Sequence, residues 1–322
     1  MNQLLAQRYR TAELLGTGGA AAVYRAIDEN LGRDVAVKVF NPSTSDDDDY
    51  RRQHTETLLL ATLNHPGLVT LHDAGLQVDE SGRTTSFLVM ELVDGRDLRK
   101  LLKTERLEPL EVAQLGADLA DALAYVHAQG VIHRDVKPAN ILLFRSDEQD
   151  TRLYSKLTDF GIARMVDASM ATATGATIGT ANYLSPEQAH GTVVDFKSDI
   201  YSLGLVLLEC LTGKKAFPGA VVEAAVARLL RDPDVPDDLG PFWAPLLTGM
   251  TARGPQQRPD AHEVALALRE YAAADDDLLV SKPAAHAALA ESTTDSPGAV
   301  TGGITTGNVY IPAPPTHAPT LG

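Results

Sequence analysis

One cysteine, Cys210, in 322 residues excludes an intrachain disulfide framework, and its apolar neighbours in SLGLVLLECL read as a buried thiol of a reducing compartment. Basic residues are also in short supply. Against 43 Asp and Glu stand 28 Lys and Arg, a net charge of −15, which excludes a general nucleic-acid binder because phosphate backbones are met by basic patches. No apolar stretch is long enough to span a bilayer. The opening MNQLLAQRYR lacks the charged flank, apolar run and cleavage site of a secretory signal. The expectation is therefore a cytoplasmic chain with no membrane span. Repeats of solenoid period are absent as well, and the length suits one large domain or two lobes with a tail.

What is present changes texture along the chain. Between Tyr9 and Phe40 the residues alternate as strands do. DVAVKVF sets Val35, Val37 and Val39 on one face and leaves Ala36 and Lys38 together on the other. DDDDYRRQHTETLLLATL then carries apolar residues at helical spacing behind an acidic start, the charge a helix N-terminus favours. Short strands follow around LVTLHDA and SFLVMELV. Beyond Asp94 and Gly95 long helical patterns take over, notably PLEVAQLGADLADALAYVHAQG and SDIYSLGLVLLECLTG, closed by Gly130 and Gly213 at positions fit for helix C-termini. After residue 272 the chain turns rich in Thr, Pro, Gly and Ala with hardly an aromatic, the composition of a disordered tail over 273–322.

The stretch GTGGAAAV, from Gly16 to Val23, is either a phosphate-holding loop or a tight turn between strands. It opens no helix and ends in no Gly-Lys-Ser/Thr, so neither the dinucleotide fingerprint nor the Walker loop fits. Of G-x-G-x-x-G-x-V it supplies Gly16, Gly18 and Val23, with Ala21 at the third glycine. Lys38 shares its face with the small Ala36, beside which a flat ring has room. Glu56 and Leu60, one helical turn apart, would let Glu56 point at Lys38 while Leu60 packs, unless Glu56 is simply an exposed helix residue.

Further on, HRDVKPAN (His133 to Asn140) gathers a carboxylate, an ammonium and an amide in one short segment. TDFG adds Asp159 beside Gly161, which permits a sharp backbone turn. SPE at Ser185–Glu187 and SDIYSLG at Ser198–Gly204 follow in order. On these motifs the chain, over roughly Tyr9 to Tyr271, resembles the eukaryotic-like Ser/Thr protein kinases of bacteria.

The resemblance implies an α+β bilobal fold over 9–272. A small antiparallel-sheet lobe with one main helix (about 9–93) would precede a larger, mostly helical lobe (about 94–272). It implies ATP and Mg²⁺, with Mn²⁺ as a substitute. Lys38, paired with Glu56, would grip the α- and β-phosphates under the Gly16 and Gly18 loop. Val23, Ala36 and Leu142 would sandwich the adenine, Met90 would stand as gatekeeper, and the backbone from Glu91 to Val93 would bond the adenine edge, side-chain identity mattering little there. Asp135 would accept the acceptor hydroxyl's proton and Lys137 would neutralise the γ-phosphate. Asn140 and Asp159 would hold the metal. His133, Phe160 and Leu60 would stack as an internal column, Asp199 would brace the catalytic loop, and Arg258 would pair with Glu187.

Lys137 and Thr180 in GTANYLSPE are what Ser/Thr kinases show, whereas tyrosine kinases place Ala-Ala-Arg after the catalytic Asp. Thr180 would be a structural hydroxyl near Asp135 and Lys137. Arg134 would join a basic pocket receiving a phosphate from the activation segment, where Thr174, then Thr172, then Thr177 are expected to be autophosphorylated. Protein substrates, phosphothreonine-reading partners drawn to the tail threonines (Thr293, Thr294, Thr305, Thr306) and pairing through the N-terminal lobes follow from the same resemblance. Relatives often carry a membrane span after such a linker, so the chain is either a soluble member or a kinase fragment. Two rivals are a pseudokinase acting as a binding scaffold, for which only Ala21 argues, and a small-molecule phosphotransferase, which typically lacks SPE and the Asp199 helix.

Overall fold

Val35 and Val37 disappear completely from solvent, while Ala36 and Lys38 turn to the opposite face of β4 (Arg33–Phe40), as a period of two requires. The described residues of this computed structural model are 3–18, 21–41, 62–78, 82–147, 149–150, 152–160 and 180–280. Within them β4 belongs to a six-stranded antiparallel sheet. On one side lie β3 (Ala21–Asp28), β2 (Tyr9–Thr17) and the short β1 (Leu4–Leu5); on the other lie β6 (Thr84–Met90) and then β5 (Leu71–Val78). Val35 and Val37 pack with Leu5, Tyr9, Ala26, Phe87 and Val89 into a small core, in which the Tyr9 and Phe87 rings meet edge to face at 6.1 Å.

A three-stranded sheet of β7 (Arg96–Asp97), β8 (Ile141–Phe144) and β9 (Tyr154–Leu157) follows, and the remaining regular elements among the described residues are helices. The helices are α1 (Leu98–Leu101), α2 (Pro109–Ala128), α3 (Pro186–His190), α4 (Lys197–Thr212), α5 (Val221–Leu230), α6 (Gly240–Met250) and α7 (Ala261–Val280). Pro109 starts α2 where its missing N–H costs nothing, and Glu111 accepts from the Glu108 N–H at 2.9 Å to close the first turn. α4 is apolar nearly all round and is buried from Ser198 to Leu208. Gly213 ends it at φ 67° and Gly130 follows α2 at φ 76°, the left-handed conformation that glycine tolerates best.

An α+β arrangement of a small antiparallel sheet and a larger helical part is thus what the chain adopts. Three expected features fall elsewhere. The main N-lobe helix, with Glu56 and Leu60, lies outside the described residues, as do Gly161 and the activation-segment threonines Thr172, Thr174 and Thr177. Residues 281–322 do too, whereas helical backbone continues in α7 to Val280, past position 272. No helix among the described residues is long and apolar enough to cross a membrane.

Candidate active site

The loop between α2 and β8 carries HRDVKPAN, and its backbone is held from beneath by Asp199 in the first turn of α4. Asp199 is 1% exposed. Its Oδ2 accepts from the His133 N–H at 2.8 Å and from His127 Nε2 at 2.9 Å, and its Oδ1 accepts from the Arg134 N–H at 2.8 Å. Arg134 occupies φ 67°, a conformation a non-glycine residue keeps only where its surroundings impose it. His133 is fully buried, and that burial pushes its pKa down, so the ring is neutral. Its Nε2–H donates to the Thr158 carbonyl at 3.1 Å and its Nδ1 accepts from the Asp135 N–H at 3.3 Å. The ring stacks, tilted, on Phe160 at 4.7 Å. His133 is therefore packing and scaffold, the role the resemblance implied.

Above this scaffold the polar groups converge. Asp135 Oδ2 accepts from Lys137 Nζ at 2.7 Å and from Asn140 Nδ2 at 3.0 Å, and the same amide nitrogen donates to the Asp135 carbonyl at 2.9 Å. The Asn140 amide oxygen is thereby turned the other way. The Thr158 N–H donates to the Asn140 carbonyl at 2.9 Å, which ties this loop to the strand end leading to Asp159. Asp159, at φ 59°, pairs with Lys38 Nζ at 2.7 Å. A cavity behind that pair is lined by Leu68, Leu88, Met90, Asp159 and Phe160 among others.

The strand register explains the wall opposite. Ala36 faces Met90, and Lys38 faces Val23 on one side and Leu88 on the other, so Val23, Ala36, Lys38, Leu88 and Met90 share one face of the sheet. Gly16 pairs with Val23, and the Gly18 N–H donates to the Ala21 carbonyl at 2.8 Å across the turn. Leu142 sits half-buried on β8, opposite Lys156. Val93 lies half-buried in the segment that joins the two sheets.

The Glu91 side chain makes contacts of its own that the resemblance did not imply. Glu91 Oε2 accepts from Lys156 Nζ at 2.8 Å and from the Thr70 N–H at 3.2 Å, while the Glu91 N–H donates to the Thr70 carbonyl at 2.8 Å. The connecting segment is therefore fastened by an ion pair that links it to β9. Lys156 was missed in the sequence, where its only signal is a polar residue at a strand position ahead of TDFG.

Further along, Arg258 is paired with Glu187 as the resemblance implied, at 2.7 and 3.0 Å. The Thr180 hydroxyl lies outside the described side chains.

Among the described residues, the oxygen donors that the resemblance assigns to a divalent cation are the Asp159 carboxylate and the Asn140 amide oxygen. Hard oxygen donors of this kind, few in number, suit a divalent cation that takes its remaining ligands from water and substrate phosphates. No group of three or more His, Cys, Asp or Glu side chains is gathered for a metal among the described residues. The residues present fit a metal delivered together with a nucleotide better than a resident metal cage.

Comparison with known proteins agrees with this geometry. A family profile described as a protein kinase domain matches residues 9–267. Over 259 residues the chain is 40% identical to the serine/threonine-protein kinase PknA of Mycobacterium tuberculosis, covering 79% of this chain and 58% of the relative. It is 43% identical over 236 residues to PknB of Mycobacterium leprae, covering 72% and 37%, and 40% identical over 263 residues to PknB of Mycolicibacterium smegmatis, covering 80% and 41%. The chain thus spans little more than half the length of the first of these relatives and about two fifths of the others.

Proposed function

Since the chain belongs to the protein kinase domain family, in its bacterial eukaryotic-like Ser/Thr branch, we propose that it transfers the γ-phosphoryl group of ATP to serine and threonine hydroxyls of proteins. The observation that carries this reading is the Asp135 carboxylate, whose Oδ2 is occupied by Lys137 and Asn140. That arrangement presents Oδ1 to an acceptor hydroxyl. In the reaction the hydroxyl oxygen bonds to the γ-phosphorus as its proton passes to Asp135, and the bond to the β–γ bridging oxygen breaks. Lys137 balances the charge spread over the γ-phosphoryl oxygens, and Lys38 exchanges its partner Asp159 for the α- and β-phosphates, where the resemblance would pair it with Glu56. Asn140 and Asp159 would hold Mg²⁺, or Mn²⁺ in its place, which neutralises the phosphates when bound. Val23, Ala36 and Leu142 sandwich the adenine under Gly16 and Gly18 with Met90 as gatekeeper, and the backbone of Glu91 to Val93 bonds its edge.

We assign the kinase domain to 9–272 and, within it, autophosphorylation to Thr174, Thr172 and Thr177, in that order of preference, with Arg134 among the groups that receive the phosphate. Pairing through the N-terminal lobes and phosphothreonine-reading partners remain subordinate readings drawn from the same resemblance. The test is incubation of the parent chain and Asp135→Asn with ATP, Mg²⁺ and a general acceptor protein, followed by phosphosite mapping. Phosphoserine and phosphothreonine in the acceptor, and phosphate between Arg164 and Thr180, are expected from the parent alone. A parent chain that binds ATP yet transfers nothing would sustain the scaffold reading instead.

A further inference from the structure

The peptide group that leads into Asp135 is fixed at both of its polar atoms. Its N–H donates to His133 Nδ1 at 3.3 Å, and its oxygen, the Arg134 carbonyl, accepts from Gln188 Nε2 at 2.8 Å. The first contact is internal to the loop. The second arrives from α3, at a distance of 54 residues along the chain.

The orientation of the Gln188 amide is settled by its other end. Gln188 Oε1 accepts from the Ser185 N–H at 2.9 Å, and the Ser185 hydroxyl accepts from the Gln188 N–H at 3.2 Å, a reciprocal cap at the start of α3. A carbonyl oxygen only accepts, so the amide nitrogen is the atom that reaches Arg134. One side chain therefore does two jobs at once. It closes the helix start with its oxygen, and with its nitrogen it holds the plane of the Arg134–Asp135 peptide.

That plane matters because Arg134 sits at φ 67°, and the direction in which the Asp135 side chain leaves the backbone follows from how the strained turn is completed. Asp199 restrains the N–H groups of His133 and Arg134. Gln188 restrains the carbonyl that comes next. We infer that Gln188 is a positioning residue for Asp135, orienting the base through the Arg134 carbonyl and making that orientation depend on the seating of the Ser185–Gln188 segment. The inference rests on the kinase reading above and deepens it, since it names the contact by which the segment following Thr180 communicates with the base.

Glutamate separates the two jobs. In Gln188→Glu a carboxylate still accepts from the Ser185 N–H, as in an ordinary capping box, but no N–H remains for Arg134. Gln188→Met removes both functions without adding charge. The full chain and both variants are assayed with ATP, Mg²⁺ and the acceptor protein, alongside thermal melting. For Gln188→Glu we expect a melting temperature within about 2 °C of the parent, an unchanged KM for ATP, and kcat lower on the order of tenfold, the size of one lost hydrogen bond. Gln188→Met should show the same fall in kcat with a lower melting temperature. Parental kcat in either variant overturns the inference, and so does a Gln188→Glu chain whose loss of activity comes with an equal loss of thermal stability. A parent chain without transferase activity would overturn the kinase reading itself, an outcome told apart by the parent control.

Discussion

Arg258 sets its guanidinium on Glu187 at two points, Nη1 to Oε1 at 2.7 Å and Nη2 to Oε2 at 3.0 Å, across 71 residues of sequence. Both side chains are buried, 0% and 7% exposed. The Ser198 hydroxyl donates to the same Oε1, and Arg258 spends its remaining hydrogens on the carbonyls of Ala252, Lys197 and Arg253 at 2.7, 2.9 and 3.0 Å. The pair fastens α3 to α4 and to the loop before α7. Arg258→Met would leave a buried carboxylate without its cation, a change that typically costs about 3–5 kcal/mol. Urea denaturation of the two chains near neutral pH measures it, and a difference below about 1 kcal/mol would contradict the assignment.

The same pair has a pH signature. Burial alone would raise the Glu187 carboxyl, but the hydrogen bonds from Arg258 and Ser198 outweigh it and hold the group below the ordinary glutamate value. A depressed folded pKa means stabilisation that is fully present above the unfolded value, about 4.3, and is lost as pH falls through the folded one. In Arg258→Met burial pushes the Glu187 carboxyl up instead, so the stability gap between the parent and Arg258→Met should be full at alkaline pH, start to narrow as pH falls through the variant's raised pKa, and go on narrowing until it passes the parent's depressed one. Repeating the denaturation across this range tests the sign.

Lys38 and Asp135 should fail in different ways. Lys38 contacts Asp159 and leans over the Phe40 ring at 5.5 Å, away from the small sheet core, so Lys38→Met should fold normally. It should raise the KM for ATP and slow transfer on the order of 10²-fold or more, the cost of removing a preorganised charge. Asp135→Asn should bind ATP as the parent does and lose about 10²–10⁴-fold in kcat, the usual worth of a general base. Nucleotide titration beside turnover separates the two.

Cys210 is 1% exposed on α4, and burial pushes its thiol well above the ordinary range. Thiolate is the reactive form. A haloacetamide at mildly alkaline pH should therefore leave Cys210 untouched in the folded chain and label it completely in urea. Rapid labelling without denaturant would show that α4 opens far more often than its packing allows.

Much of this site was legible because its chemistry is local. HRDVKPAN and TDFG place their functional atoms within a few residues of one another, and the alternation in DVAVKVF assigns Val35 and Val37 to the core and Ala36 and Lys38 to the site. The distant partnerships were not legible without the resemblance, which supplied Asp199 and Arg258. Two others escaped even that. Lys156 finds Glu91 across 65 residues and Gln188 finds Arg134 across 54, and each is of a residue type that by itself reads as a solvated polar side chain. Periodicity reports which face a residue occupies. It carries no information on which carbonyl or carboxylate will stand opposite once the two sheets and α3 are brought together.

Two glycines with opposite demands give a further test. Gly213 closes α4 at φ 67°, and a Cβ there would run into the Arg106 guanidinium. Gly213→Ala should cost about 1–2 kcal/mol for the left-handed backbone, with Arg106 free to swing aside as a flexible side chain. Gly16 has no positive φ and open space around its Cβ position, so Gly16→Ala should leave stability within about 0.5 kcal/mol of the parent. Equal melting of the two variants would contradict the conformations described here.

Ala21, the one departure from the three-glycine pattern, turns out to need no glycine. It opens β3 directly opposite Phe40, is 9% exposed, and has ordinary extended backbone with no positive φ. The turn before it is closed by the Gly18 N–H on the Ala21 carbonyl, a bond that either residue would make with its backbone alone. A methyl group at this position therefore packs within the sheet and restricts the unfolded chain. Ala21→Gly should leave the KM for ATP and kcat unchanged while lowering stability by about 0.5–1 kcal/mol, the entropic cost of glycine in a strand. A gain in ATP affinity in this variant, measured by titration, would mean that the loop needs freedom at residue 21 that the strand conformation does not reveal.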